Sequence, residues 1–130
     1  MRRSILTVPV VAVAAAAAVT AGGGASTAGG CTFTVAPPAL YAPPNGTILS
    51  NVSVECAAAQ RRIRIAATLT RDGTAVASTR RDCRKAERCY VTVDASADDV
   101  PGDQVWCTTA SASTDGASFA EGTAYEADSF

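Results

Sequence analysis

Residues 61–79 read RRIRIAATLTRDGTAVAST. From Arg62 to Thr70 every odd-numbered residue is apolar, whereas arginine and threonine dominate the even-numbered positions. This period of two is the signature of a β-strand with one buried face. The strand leads into Asp72-Gly73. An Asp-Gly pair between two alternating runs is a strong hairpin signal, because both central residues of a type I′ turn need a positive φ. The sequence therefore predicts an antiparallel hairpin that turns at this dipeptide.

The same period of two recurs in the segments on both sides of the hairpin. It predicts strands at residues 31–35, 51–56, 90–93, 105–109 and 117–130, separated by proline, glycine and polar residues. Apolar residues do not recur at helical spacing over a useful length. About seven short strands with regular turn signals favour an all-β fold in the form of a two-sheet sandwich.

The alternation also assigns core-facing residues in the last two predicted strands. Cys107 and its alternate neighbours share the face that we take as inward, and Trp106 lies on the opposite face. In the final strand, Phe119 and Tyr125 are predicted to point inward. The core is thus expected to take in Cys107, with Trp106 on the outer face.

The beginning of the chain is typical of an export signal. Two arginines precede an almost wholly apolar run at residues 5–19, which suits a secretory signal and is too short to span a bilayer. Small residues follow, and cleavage after Ala21 or after Ala28 matches the usual site. We expect residues 1–30 to be a signal peptide with a Gly/Ser/Ala spacer, and residues 31–130 to form one secreted domain without a transmembrane span.

Five cysteines are available to this exported domain: Cys31, Cys56, Cys83, Cys89 and Cys107. The chain has no CxxC pair and no histidine, so disulfides are a better interpretation than metal ligands. Cys83 and Cys89 enclose a short charged loop and are predicted to form one bridge. A hairpin of the first two strands would place Cys31 opposite Cys56, which offers a second bridge.

The order of several features resembles an immunoglobulin-like domain. These features are Cys56, the turn at residues 71–73 and the run GDQVWC at residues 102–107. In that family a cysteine of the second strand bridges the core to one of the sixth strand, which implies a Cys56–Cys107 disulfide here. We prefer this pairing to Cys31–Cys56. Cys31 is then the unpaired thiol, open to lipidation or to an intermolecular disulfide. The layout is also similar to small secreted proteins of actinobacterial type, as the alanine- and arginine-rich composition suggests for a bacterial chain.

Charge is strongly segregated, although the formal net charge is only −1. Nine basic and three acidic residues lie between Arg61 and Cys89, while Tyr90 to Phe130 contain eight acidic residues and no basic one. Two interpretations stay open. The arginines pair with carboxylates on a neighbouring strand, which we favour, or they form a basic face for an anionic partner. The candidate basic face consists of Arg61, Arg62, Arg64, Arg71, Arg80 and Arg81.

The sequence gives no indication of catalysis. The commonest general base is absent, and neither a nucleophile elbow nor a phosphate-binding glycine loop occurs. We expect no cofactor and no metal. Nucleic acid is not expected either, because the basic segment carries no aromatic residue before Tyr90. The leading hypothesis is a secreted, non-catalytic binding module that acts at or outside the cell envelope on an extracellular protein or an anionic envelope polymer.

Two alternative functions depend on the cysteines. In the first, the disulfide-closed loop presents Arg84, Lys85 or Arg88 to a trypsin-like enzyme, and the protein is a proteinase inhibitor. In the second, the protein is a structural component held to the cell surface through Cys31.

Overall fold

The computed structural model describes residues 19–20, 24–41, 46–96 and 103–127. Most of the predicted export signal lies outside the described residues, including the cleavage site after Ala21. The polar loop at residues 97–102 lies outside them as well, whereas Ala28, at the other possible cleavage site, is described. Every regular element within them is a β-strand, so the protein is all-β, as predicted. The strands are β1 (Val19–Thr20), β2 (Gly24–Ala28), β3 (Cys31–Val35), β4 (Ala39–Tyr41), β5 (Thr47–Arg71), β6 (Thr74–Ser96), β7 (Gln104–Ser113) and β8 (Ser118–Ala127).

The eight strands form one sheet around a long hairpin. β5 and β6 contain 25 and 23 residues and pair antiparallel over almost their whole length. Their turn lies at Asp72 and Gly73, which have φ values of 51° and 86°, so the predicted hairpin is confirmed. The remaining strands extend the sheet in the order β1-β8-β7-β5-β3-β2, with β4 also on β5.

A break in register bends the hairpin into two arms. Glu55 pairs with Arg88, but the next pair is Gln60 with Ala86, so β5 contains an excess of residues at this point. The first arm consists of residues 47–55 of β5 and 88–96 of β6, with β2, β3 and β4 attached. The second arm consists of residues 60–71 and 74–86, with β7, β8 and β1 attached.

The two arms fold towards each other and bury their apolar faces in one core. Ile63, Ile65 and Leu69 of the second arm are at most 1% exposed, as the alternation predicts. Phe33 of β3 and Phe119 of β8 stack across the core with their ring centroids 5.4 Å apart. β2 and β8 also come into contact, so the bent sheet is nearly closed. Backbone hydrogen bonds join all eight strands into one sheet that continues through the bend, so the expected two-sheet sandwich is not confirmed.

The predicted strands are shorter than the observed ones because two segments, one alanine-rich and one charged, lack the alternation that predicts a strand. Residues 57–59 and the charged run at residues 84–88 interrupt the apolar alternation. Each continues as extended chain because the facing strand supplies backbone partners on either side of the bend. Backbone pairing therefore joins segments that the side-chain pattern separates.

Two disulfides lie at the bend: one joins β3 to β5, and the other connects two residues of β6. Cys83–Cys89 spans the bend within β6, as predicted, and Lys85 inside it has a φ of 53°. Cys31 bonds to Cys56 directly across the β3–β5 ladder, with their Cα atoms 3.9 Å apart. The two bridges fix β3 to β5 and fix the path of β6 where the sheet changes direction.

The preferred Cys56–Cys107 pairing is wrong, and Cys107 is the free cysteine. The reason is an inverted face in β7. Trp106 is fully buried in the core, while Cys107 lies on the outer face and is half-buried. Cys31 is 1% exposed and bonded to Cys56, so it offers no thiol for lipidation or for an intermolecular bridge. The inward positions of Phe119 and Tyr125 are confirmed.

The domain boundary placed between residues 30 and 31 falls inside a hairpin. All five residues of β2, from Gly24 to Ala28, pair with β3. The turn consists of Gly29 and Gly30, with φ values of 61° and 78° that favour glycine. A Cβ on Gly29 would also lie 3.2 Å from the carbonyl oxygen of Gly116. The sheet therefore takes in part of the segment that we expected to be a spacer.

Candidate functional site

The outer face of the second arm brings together side chains from four strands. Alternation places the even-numbered residues of β5 on this face, opposite the core. Ala66 is paired with Arg80 of β6 on one side and with Ser111 of β7 on the other. In the next row, Arg64 lies between Asp82 and Ser113. Small and hydroxyl side chains thus alternate with arginines across the sheet.

A cleft of about 720 Å³ lies on this face and is here named the main cleft. The floor of the cleft consists of short alanine and serine side chains on β5 and β7. Long arginine side chains of β5 and β6 stand beside them and form a wall. The polar and charged lining residues are Arg64, Arg80, Arg81, Asp82, Ser111, Ser113 and Ser118.

Two smaller clefts continue from the main cleft along β5. One of about 270 Å³ is lined by Arg61, Arg62 and Arg64 together with the β7–β8 turn. The other, of about 410 Å³, adds Arg84 and Lys85. We name the three clefts together the basic track. Its residues come from both strands of the long hairpin, so their spacing is fixed by β-sheet geometry.

Asp82 lies in the middle of the basic track and binds two arginines. Arg62 Nε donates to Asp82 Oδ1 at 3.0 Å, and its Nη2 donates to Oδ2 at 2.8 Å. Arg64 Nε lies 3.8 Å from Oδ2. The hydrogen bonds from Arg62 lower the pKa of the Asp82 carboxyl, and the charges of Arg62, Arg64 and Arg84 act in the same direction. The same hydrogen bond raises the pKa of Arg62, so both groups stay charged at neutral pH.

Asp115 holds the β7–β8 turn against the start of the second arm. Its Oδ2 accepts a hydrogen bond of 2.7 Å from the backbone N–H of Arg61, and its own N–H donates to Gln60 Oε1 at 3.2 Å. Arg61 Nε lies 3.9 Å from the carboxylate, and its side chain is 90% exposed. The carboxylate is used mainly by the backbone, so the Arg61 guanidinium remains open to solvent.

The other cations of the basic track differ from Arg61, Arg62 and Arg64. Arg80, Arg84 and Lys85 are exposed and form no ion pair with any described residue. Across the described ranges, Arg61–Asp115 is the one ion pair that joins the basic segment to the acidic C-terminal segment. The ion pairs therefore do not support the favoured interpretation, in which the arginines pair generally with carboxylates on neighbouring strands.

The candidate basic face divides into two groups. Arg61, Arg62, Arg64 and Arg80 all line the basic track. Arg71 lies 5.8 Å above the Trp106 ring at the end of the sheet. Arg81 touches the main cleft, but its Nη1 donates to the carbonyl of Tyr90 at 3.2 Å.

The candidate binding loop divides in the same way. Arg84 is paired with Arg62 across the hairpin, and Lys85 follows it into the third cleft. Arg88 is paired with Glu55 on the first arm and lines none of the three clefts. The loop is thus a part of the sheet, and only two of its cations belong to the basic track.

Sequence reasoning missed the small residues of the floor. Ser111, Ser113 and Ser118 were not singled out, although Ser111 and Ser113 alternate with Ala110 and Ala112 in the run TTASAS. Such a run predicts a strand with one small polar face, which becomes a cleft once arginines flank it. Cys107 lies on the same outer face, and burial raises the pKa of its thiol, so it stays protonated at neutral pH.

Comparison with known proteins adds no relatives. No protein-family model matches the chain, and no curated protein is significantly similar to it. Across the described ranges, no helix has the length and hydrophobicity needed to cross a membrane.

Proposed function

We propose that the protein is a secreted, non-catalytic module that binds an anionic polymer at or outside the cell envelope through the basic track. The observation that carries this proposal is the charge of the track. Setting aside Arg81, six cations and two carboxylates line the three clefts, a net charge of +4. The cations are Arg61, Arg62, Arg64, Arg80, Arg84 and Lys85.

The chemistry of the lining favours an anionic chain with hydroxyl groups. Guanidinium groups bind carboxylate or phosphate with paired N–H donors, and serine hydroxyls donate to or accept from a polyol. Nucleic acid fits less well, because single-stranded binding uses exposed aromatic rings. Phe119, the one aromatic residue at the main cleft, is 8% exposed and packs on Phe33.

The cysteines support a location outside the cytosol. Two disulfides in a domain of this size fit an oxidising compartment. The export signal and the actinobacterial-type origin remain part of this proposal. The immunoglobulin-like arrangement also remains part of this proposal. The two arms that face each other favour such an arrangement, whereas the missing Cys56–Cys107 disulfide removes the main argument for it.

The two alternative functions have less support. A proteinase inhibitor presents an unpaired, extended loop to the enzyme, whereas Arg84 and Ala86 are paired with β5. A surface anchor through Cys31 needs a free thiol, and Cys31 is bonded to Cys56. Both observations favour the binding module.

The test compares two arginines of one strand. Arg80 and Arg88 are both exposed residues of β6 without an ion pair in the described part of the chain, but only Arg80 lines a cleft. Binding to immobilised dextran sulfate is measured for the disulfide-bonded protein, with uncharged dextran as the reference. We expect binding that weakens as salt rises. Arg80→Gln should lose about fivefold, in line with an exposed ion pair of about 1 kcal/mol, and Arg88→Gln should change binding by less than about twofold. Equal losses, or equal binding to uncharged dextran, would exclude the basic track as the site.

A further inference from the structure

The three clefts follow one another along a single strand. The main cleft contains Arg64 and Ala66, the second contains Arg64 and Arg62, and the third contains Arg62 and Arg61. At about 3.3 Å per residue, the five steps from Ala66 to Arg61 span about 17 Å. The basic track is therefore long and narrow, a shape suited to a chain and much longer than one monosaccharide.

Charge along this line is uneven. Within the described ranges, Arg80 forms no ion pair at one end, and Arg84 and Lys85 form none at the other. Asp82 lies in the row between them beside Arg64, and its carboxylate binds both Arg64 and Arg62, which is level with Arg84. The middle is partly neutralised, so the strongest attraction for an anion lies at the two ends.

Strand geometry sets the separation of the two ends. Arg80 and Arg84 lie on the same face of β6 because their numbers differ by four. Their Cα atoms are therefore about 13 Å apart. A single anionic group reaches one end only, whereas a chain with repeated anionic groups reaches both at once.

We infer that the basic track recognises a linear acidic glycan by bridging its two cationic ends, and so selects for chain length. This inference deepens the proposed function and depends on it. The sugar hydroxyls between the anionic groups would face the serine floor formed by Ser111 and Ser113. When one end is bound, the second anionic group is held near the other end, and this raised effective concentration strengthens binding without any new kind of contact.

The experiment compares two lengths of one glycan. Galacturonate dimer and octamer are titrated into the disulfide-bonded protein at low salt, and each dissociation constant is measured by calorimetry. We expect the octamer to bind at least about thirtyfold more tightly than the dimer, a modest gain beside the hundredfold or more that linked binding events can reach. The octamer offers several overlapping dimer positions, which alone would make it bind up to about eightfold more tightly than the dimer. A ratio of dissociation constants below about eightfold would therefore overturn the bridging inference.

Variants at either end separate bridging from that statistical advantage. Arg80→Gln, or Arg84→Gln together with Lys85→Gln, should reduce the octamer's advantage over the dimer to below about eightfold, because only one end remains. Arg88→Gln is the control and should keep the full advantage. An advantage that persists in both end variants would refute bridging while the proposed function stands. If neither the octamer nor dextran sulfate binds, the proposed function itself fails.

Discussion

The two arms of the long hairpin have similar inner faces and very different outer faces. Inside, both present buried aliphatic residues to the common core. Outside, the first arm mixes charges of both signs, such as Glu55 and Arg88, with neutral groups such as Asn51, which accepts a hydrogen bond of 2.7 Å from Thr92. The second arm carries arginines over a floor of alanine and serine. In the second half of β5, the odd-numbered residues of the apolar alternation therefore maintain the fold, while the even-numbered residues are free to form a binding surface.

Side-chain volume explains why the outer face of the second arm forms clefts. On the first arm Tyr90 stands beside Ser53 and is 59% exposed, so a large side chain occupies the middle of the face. On the second arm the corresponding central positions hold Ala66 and Ser111. Long cationic side chains at the edge and short ones in the centre leave an open depression.

The largest expected effect concerns the contact that joins the arms. Replacing Phe33 by alanine removes a fully buried ring stacked on Phe119 and should lower the free energy of unfolding by about 3–5 kcal/mol. Tyr90→Ala is the control, because its ring is mostly exposed, and should change stability by about 0.5 kcal/mol or less. Urea unfolding measures both. Similar losses for the two variants would contradict the assignment of the core.

The next effect concerns the disulfide at the bend. Replacing both Cys31 and Cys56 by alanine should cost about 2–4 kcal/mol of stability, because the unfolded chain loses a constraint. Cys107→Ser should change stability by about 1 kcal/mol or less, since Cys107 is unpaired and half-buried. Non-reducing peptide mapping with urea unfolding checks both statements. A peptide that links Cys56 to Cys107 would restore the immunoglobulin-like pairing and contradict this structure.

The third effect concerns a large side chain on the outer face of the second arm, where the first arm has Tyr90. Ser111→Tyr places a large ring on the floor of the main cleft and should weaken binding of dextran sulfate about tenfold, which corresponds to about 1.4 kcal/mol. Ser53→Tyr makes the same change on the outer face of the first arm and should leave binding unaltered. Because both sites face solvent, the melting temperature should change little in either variant. Equal binding by the two variants would show that the depression is not used.

The smallest expected effect concerns the carboxylate at the centre of the track. Asp82→Asn frees Arg62 from a competing anion and should strengthen dextran sulfate binding about two- to threefold. Because the pKa of Asp82 is lowered in the folded protein, its ion pair stabilises the fold above the ordinary aspartate value of 3.8 and is lost as the pH falls through the lowered value. The melting temperatures of the parent and Asp82→Asn should therefore converge in acid. A difference that grows as the pH falls would reverse the sign of this linkage.

The sequence was a good guide where one face of a strand is purely apolar. In β3 and in residues 63–69, alternation identifies the buried side without ambiguity, and Asp72-Gly73 marks the turn. β7 is different, because its buried face contains Gln104 and Thr108 while Val105 lies outside. With polar residues on both faces, the pattern does not distinguish the buried face from the exposed one. The resemblance to the immunoglobulin-like family then placed Cys107 on the buried face, which is wrong.

Other features depend on contacts between segments that are distant in sequence. β2 is rich in glycine and small residues and looks like a spacer, yet β3 provides a paired edge for it. The basic residues of the track were identified from their clustering, but the bend that separates Arg88 from Arg84 was not. The serine floor needs β7 to lie beside β5, which residue order alone does not determine.

The most direct test of the account maps the bound polymer onto the two arms. Isotope-labelled, disulfide-bonded protein is titrated with galacturonate octamer, and backbone amide shifts are followed by NMR. If the polymer binds the basic track, the largest shifts occur at residues 61–66, 80–85 and 111–118, and residues 51–55 and 88–94 shift little. Shifts concentrated on the first arm, or none at saturating ligand, would contradict the assignment of binding to the second arm.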